Sequence, residues 1–200
     1  AVVHESGVFL GRVAAALVDF DAPGLHRKHA WDLANAAEVE QFVEEIDSDD
    51  RRALVRSVLA AFSSAVLPQS GLFRKAVIMG DYNDCNIILT PDGTGVAGVI
   101  DFGDAVHTWL VNEVAIAMAY IMLSPFARET GNPLGAAALM LRGFQSVFPL
   151  APAETKYLRT LVACRLAVSV TLGAYSSRRD PGNAYLLLHQ APAWEALELL

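Results

Sequence analysis

Basic residues are scarce in this chain: 15 lysines and arginines stand against 22 aspartates and glutamates, for a net charge of −7. Binding a nucleic-acid backbone takes clustered basic side chains. Only short pairs occur here, Arg51-Arg52 and Arg178-Arg179, so no nucleic-acid partner is expected. Cysteine is scarcer still. Cys85 and Cys164 are too few for a disulfide framework, and a reduced, cytoplasmic setting is the expectation. The opening residues, Ala1-Val2-Val3-His4-Glu5, have neither the basic segment nor the apolar core of a secretory leader. Long apolar runs are missing too. The stretch 114–123 is too short to cross a bilayer and 161–175 contains Arg165, so no membrane association is expected. There is no Gly-x-Ser-x-Gly nucleophile motif. His26 and His29 lie three apart without a second ligand cluster, and His4, His107 and His189 are scattered, so a zinc site is not expected.

What the chain has in quantity is apolar surface. A hydrophobic fraction of 54% over 200 residues excludes a disordered chain and is high for a self-standing domain. Two readings stay open: a lobe that packs against a partner lobe, or a merely alanine- and leucine-rich domain. Apolar spacing predicts a helix over 8–20, through Phe9, Leu10, Val13, Leu17 and Phe20, stopped at Pro23-Gly24. Further helices are predicted over 31–46 and from 49 to about 67, the latter opened by Asp47-Ser48-Asp49-Asp50 as caps and first-turn acids. Short strands follow at 76–79, 86–89 and 96–100, read as one small sheet with a Pro91-Asp92-Gly93 turn. Everything beyond is predicted helical, over 110–123, 134–148, 154–175 and 184–200. The expected class is α+β and mostly α: helices over 1–70, a β insert over 76–104, and helices over 108–200.

The chemistry concentrates where the chain leaves the insert's strands. Gly80-Asp81-Tyr82-Asn83-Asp84-Cys85-Asn86 places an amide five residues after an acid, and Ile100-Asp101-Phe102-Gly103 follows after one strand–turn–strand. A lone Asp or Asn at a strand end is ordinarily a turn or cap residue. The three together, in this order, make a divalent-metal and phosphate site. Magnesium takes oxygen donors and only one or two carboxylates, because phosphate oxygens and waters complete its shell. Protein kinases use an Asp, an Asn five residues on, and an Asp-Phe-Gly for the same purpose. Trp31, Trp109 and Trp194 read as packing residues, with Trp109 close enough behind the metal loop to line a substrate pocket instead. Cys85 reads as a small residue filling the turn.

Gly80-Asp81-x-x-x-x-Asn86 with Ile100-Asp101-Phe102-Gly103-Asp104 resembles the aminoglycoside phosphotransferase and choline kinase superfamily, of protein-kinase-like fold. Within it the hydroxylysine kinase branch is the nearest match. That match is carried also by Leu25-His26-Arg27, Trp31-Asp32-Leu33, Glu113-Val114-Ala115-Ile116 and Ala174-Tyr175-Ser176. The resemblance implies that Asp81 is the catalytic Asp that orients or deprotonates the acceptor hydroxyl. It implies that Asn86 and Asp101 bind Mg2+ and thereby the nucleotide. Asp104 and Glu113 match acidic positions of the branch. Asp104 either helps bind substrate ammonium groups or orients the metal loop, and Glu113 is equally readable as an acid at a helix N-terminus. Asp84 faces an amine substrate or solvent.

The activity implied is transfer of the γ-phosphoryl of GTP or ATP to 5-hydroxy-L-lysine, with homoserine, choline or an aminoglycoside as alternative acceptors. A non-catalytic module of a longer polypeptide, such as one carrying a class III aminotransferase, is the alternative from another class. Two features depart from the pattern. Met79 stands where the family usually has His before Gly-Asp. No glycine-rich loop or strand lysine precedes the first helix, so a catalytic C-lobe without its nucleotide-binding N-lobe is expected. Such an isolated lobe would be inactive and prone to self-association through its uncovered cleft face.

Overall fold

The computed structural model describes residues 2–183 and 190–200. Ala1, His189 and the opening of the helix expected over 184–200 lie outside the described residues; Gln190–Glu198 is helical. The elements run α1 (Val2–Leu17), a 3₁₀ segment (Leu33–Glu45), α2 (Asp49–Ala61), β1 (Lys75–Ile78), β2 (Ile87–Leu89), β3 (Val96–Val99), β4 (Val106–Trp109), α3 (Val111–Leu123), α4 (Pro125–Thr130), α5 (Pro133–Val147), α6 (Pro152–Arg179) and α7 (Gln190–Glu198). The mostly helical class is as expected. Segment 31–46 winds as 3₁₀ rather than α, with Asp32 capping its start through the Ala34 N–H. Ser48 caps α2 by accepting from the Arg51 N–H, as its position suggested.

The strands correct the sequence reading. They form two separate two-stranded sheets, not one. β1 pairs antiparallel with β4, Lys75 opposite Trp109 and Ile78 opposite Val106, and β4 was not anticipated. Val106-His107-Thr108-Trp109 is too short to show alternation, and only its distant partner makes it a strand. β2 and β3 form the anticipated hairpin, Ile87 opposite Val99, with a bulge between Ile88 and Leu89. The short α4, capped by Ser124 and closed by Gly131, was also missed.

Helix α1 starts six residues earlier than predicted and stops at Leu17, leaving Val18 and Phe20 exposed. Its glycines explain the shift. A Cβ on Gly7 would sit 2.2 Å from the Met140 carbonyl, and one on Gly143 2.1 Å from that of His4, so α1 and α5 touch backbone to backbone. Helix α6 packs against α2, α3, α7 and the 3₁₀ segment. At 28 residues it is long and apolar enough by composition to span a bilayer, but 61% of its most apolar window is buried inside the fold. Its core residues include Leu161, Val162, Leu166, Val168 and Val170, and among them lies Arg165.

Candidate functional site

Three loops meet at one end of the helical body, and each is held there by side chains from elsewhere. The loop after β1 turns at Gly80, whose φ of 81° and 2.9 Å clearance between a would-be Cβ and the Asp104 carbonyl admit only glycine without strain. Met79 and Gly80 donate their backbone N–H groups to Glu113 on α3, at 2.6 and 3.3 Å. Glu113 is fully buried, and burial pushes its carboxyl up to about 7, against the pull of those two donors. The helix-terminal reading of Glu113 was thus half the answer: it sits in the first turn of α3 and also pins the Asp81 loop. Tyr82 anchors the same loop to α1, its hydroxyl donating to the Ser6 carbonyl at 3.1 Å.

Asp81 Oδ2 accepts from the side-chain amides of Asn83 and Asn86, both at 2.9 Å, and Asn86 also donates to the Asp81 carbonyl at 3.0 Å. Asp81 Oδ1 accepts from Arg165 Nη2 at 3.2 Å. Asn86 and Asp101 are brought together by the hairpin, which closes with the Ile100 N–H donating to the Asn86 carbonyl at 3.0 Å. Asp101 has φ 63°, the only positive value at a non-glycine among the described residues. Its carboxylate accepts from the Gly103 N–H at 3.0 Å and is exposed. Strain of about 1–3 kcal/mol concentrates where function demands a geometry. Arg27 clips this loop from outside, donating to the carbonyls of Gly103 and Ala105.

A cavity of about 250 Å³ opens beside Asp81, lined also by Trp31, Asp104, Tyr120, Arg165, Ser169 and Gln190. Asp104 is half-buried there, its carboxyl raised by burial and opposed by His29, whose Nε2 lies 3.5 Å away. The other substrate candidates fall elsewhere. Asp84 is exposed and does not line this cavity. Trp109 is buried in the core against Phe62 and Phe73, so its proximity in sequence to the Asp101 loop does not bring it to the cleft. Trp31 lines the cavity instead.

Asn86 spends its amide hydrogens on Asp81, which leaves its side-chain oxygen available to ligate a cation, as is the exposed Asp101 carboxylate. Hard oxygen donors of this number fit an octahedral cation that arrives with phosphate, not an all-protein cage. Arg165, Arg27 and Tyr82 were not singled out from the sequence. A lone arginine inside the apolar stretch 161–175 was the available signal for the first; the other two are placed only by tertiary contact.

The model of the phosphotransferase enzyme family (APH) matches residues 1–150. The chain is similar to hydroxylysine kinase of Mus musculus, 33% identical over the whole chain and 56% of that protein, and to that of Danio rerio, 28% identical over 97% of the chain and 58% of that protein. It thus spans little more than half the length of these curated relatives. Among solved structures it resembles a microcompartment-associated aminopropanol kinase (TM-score 0.67, 18% identity, 96% of this chain and 61% of that one). It also resembles an amicoumacin kinase in complex with AMP-PNP, Ca2+ and Ami (TM-score 0.63, 14% identity, 98% of this chain and 58% of that one). At those identities the likeness is one of fold.

Proposed function

The chain belongs to the phosphotransferase enzyme family, and from that premise we infer that its cleft transfers the γ-phosphoryl of GTP or ATP to the hydroxyl of a small amino-bearing metabolite, 5-hydroxy-L-lysine first among them. The observation that carries this reading is the cluster of Asp81, Asn86 and Asp101, with the amide of Asn86 bonded to Asp81 beside a metabolite-sized cavity. Asp81 orients the acceptor hydroxyl, which is the main task left to protein groups in phosphoryl transfer. Asn86 and Asp101 would hold Mg2+, which when bound neutralises charge on the nucleotide phosphates. Asp104, half-buried on the cavity wall, would pair with the ammonium of the acceptor. Met79 is compatible with activity because its backbone N–H, bonded to Glu113, helps pin the loop.

The chain is read as the catalytic C-lobe of a longer kinase. Ile88, Leu89, Ile100 and Phe102 are about half exposed on the hairpin and metal loop. An apolar patch beside proposed metal ligands suits the floor of a nucleotide site covered by a second lobe. The hydroxylysine kinase relatives favour hydroxylysine over homoserine, choline or an aminoglycoside. The test is a phosphorylation panel on the full-length protein, with GTP and with ATP, against hydroxylysine, homoserine, choline and kanamycin. Hydroxylysine should be preferred to homoserine by about tenfold or more in kcat/KM, since homoserine leaves the half-buried Asp104 carboxylate without an ammonium partner. Turnover of choline or kanamycin with hydroxylysine untouched would remove the acceptor assignment, and no turnover of any would favour a non-catalytic module.

A further inference from the structure

We propose that Arg165 is a positioning residue of the transfer site, one that presents Asp81 to the acceptor hydroxyl through a single oxygen, Oδ1. The proposal rests on the reading of Asp81 as the residue that orients that hydroxyl. Arg165 is 1% exposed in the middle of α6, among buried apolar neighbours of that helix. A buried guanidinium is tolerated only where it is paired and hydrogen-bonded. Its Nη1 donates to the Trp31 carbonyl at 3.0 Å, and Nη2 to the Tyr120 hydroxyl at 3.0 Å and to Asp81 Oδ1 at 3.2 Å. The guanidinium carbon lies 4.9 Å from the Trp31 ring centroid and 5.1 Å from that of Tyr120, so the group is stacked as well as bonded. One side chain thereby ties α6, α3, the turn at Trp31 and the Asp81 loop, all of which line one cavity.

The acceptor sites on Asp81 show what this arrangement leaves free. Oδ2 takes two amide donors, from Asn83 and Asn86, and a carboxylate oxygen offers about two good acceptor directions. Oδ1 takes Arg165 alone among the described residues. One acceptor direction therefore remains on Oδ1, and Asp81 is a wall of the cavity. An acceptor hydroxyl would donate there, with Arg165 fixing the carboxylate's rotation from the opposite side. Arg165 Nε is buried without a hydrogen-bond partner among the described residues. The guanidinium's orientation thus serves Asp81, Tyr120 and Trp31 and does not maximise its own bonds.

The test is steady-state kinetics of the full-length protein carrying Arg165→Ala or Arg165→Lys, with Asp81→Asn as a control on the underlying reading. Arg165→Ala should lower kcat by about 100-fold, the scale of an ångström-level misplacement at a reacting centre. The nucleotide KM should change by less than about threefold. Millimolar guanidinium, entering the vacated space, should restore part of the lost kcat. Arg165→Lys keeps the charge but not the fork, and should fall about tenfold in kcat at unchanged nucleotide KM. If the alanine variant does not fold, the lysine variant is the one read. A kcat within about threefold of wild type in either folded variant overturns the proposal. So does a loss that follows a fall in melting midpoint without guanidinium rescue, and so does failure of both variants to fold, which makes Arg165 structural. Activity surviving Asp81→Asn would instead remove the reading of Asp81, whatever Arg165 does.

Discussion

Arg74–Glu154 and Arg165–Asp81 each join distant parts of the chain, and the two pairs are built inside out from one another. In Arg74–Glu154 the acid is fully buried and the arginine side chain is 42% exposed. In Arg165–Asp81 the arginine is buried and the acid is 24% exposed. Glu154 is saturated: Arg74 donates from its backbone N–H, Nε and Nη2, and Ala151 donates its N–H at 2.7 Å. Burial alone would raise the Glu154 carboxyl, but these donors outweigh it and hold it below the usual range. Nothing on Glu154 is left for a ligand, and its pair fastens the start of β1 to the first turn of α6. Asp81 keeps an open acceptor direction on a cavity wall. An arginine and a carboxylate make a rivet in one place and the carboxylate of the proposed transfer site in the other, and what differs is which partner faces out.

Two substitutions cross-examine that contrast. On the proposed function, Asp81→Asn in the full-length protein should lower kcat by about 10²–10⁴-fold, because hydroxyl orientation is lost while shape is kept. Its melting midpoint should also fall, because the buried Arg165 loses its carboxylate partner, but kcat of the folded protein should drop well beyond that loss. Glu154→Ala should leave kcat of the folded protein near wild type and destabilise it by about 1–3 kcal/mol, because the Arg74 and Ala151 N–H groups lose their acceptor while the half-exposed guanidinium turns to water. Urea unfolding read together with kcat separates the cases, and an Asp81→Asn protein whose lost activity matched its lost folded fraction would collapse the distinction.

A third acid, Glu113, sharpens it. Burial holds its carboxyl up to about 7, so the folded chain binds that proton more tightly than the unfolded chain, where the value is near 4.5. Its contribution to stability is fully present below about 4.5 and is lost as pH rises to about 7, a change on the order of 3 kcal/mol. Glu113→Gln lacks that titration. Melting both proteins from pH 4.5 to 8 should show wild type losing ground to the variant across this window, and parallel curves would refute the assignment.

The smallest effect concerns Asp104. Asp104→Asn should cut the preference for hydroxylysine over homoserine by about tenfold while slowing a neutral hydroxyl substrate less. An unchanged preference in the same panel would place the ammonium elsewhere.

Local order makes part of this protein readable along the chain alone. The spacing of Asp81, Asn86 and Asp101 is written in one continuous stretch, because a hairpin turns sequence separation directly into proximity: Ile87 faces Val99, and Ile100 closes on Asn86. Helices with a periodic apolar face and Pro or Ser boundaries were legible for the same reason. The pairing of β1 with β4 was not, since each strand is four residues long and acquires its identity from a partner about thirty positions away. Trp109 illustrates the limit. It follows the Asp101 loop closely, yet β4 carries it into the core, while Trp31 lines the cleft.

Arg165 marks where tertiary structure alone decided. Eighty-four positions separate it from Asp81, and no periodicity or motif links them. Along the chain it is a polar interruption of an apolar helix. Only the packing of α6 against α3 and the 3₁₀ segment brings its guanidinium under Asp81 and between two aromatic rings. The sequence by itself determined the family, the mostly helical class and the three residues of the proposed transfer site, because each is encoded over spans short enough for turns and hairpins to fix. Which carboxylate stays open, which is riveted and which tryptophan meets the cavity depend on burial. Burial is a property of the assembled core, set by contacts between segments that no local pattern brings together.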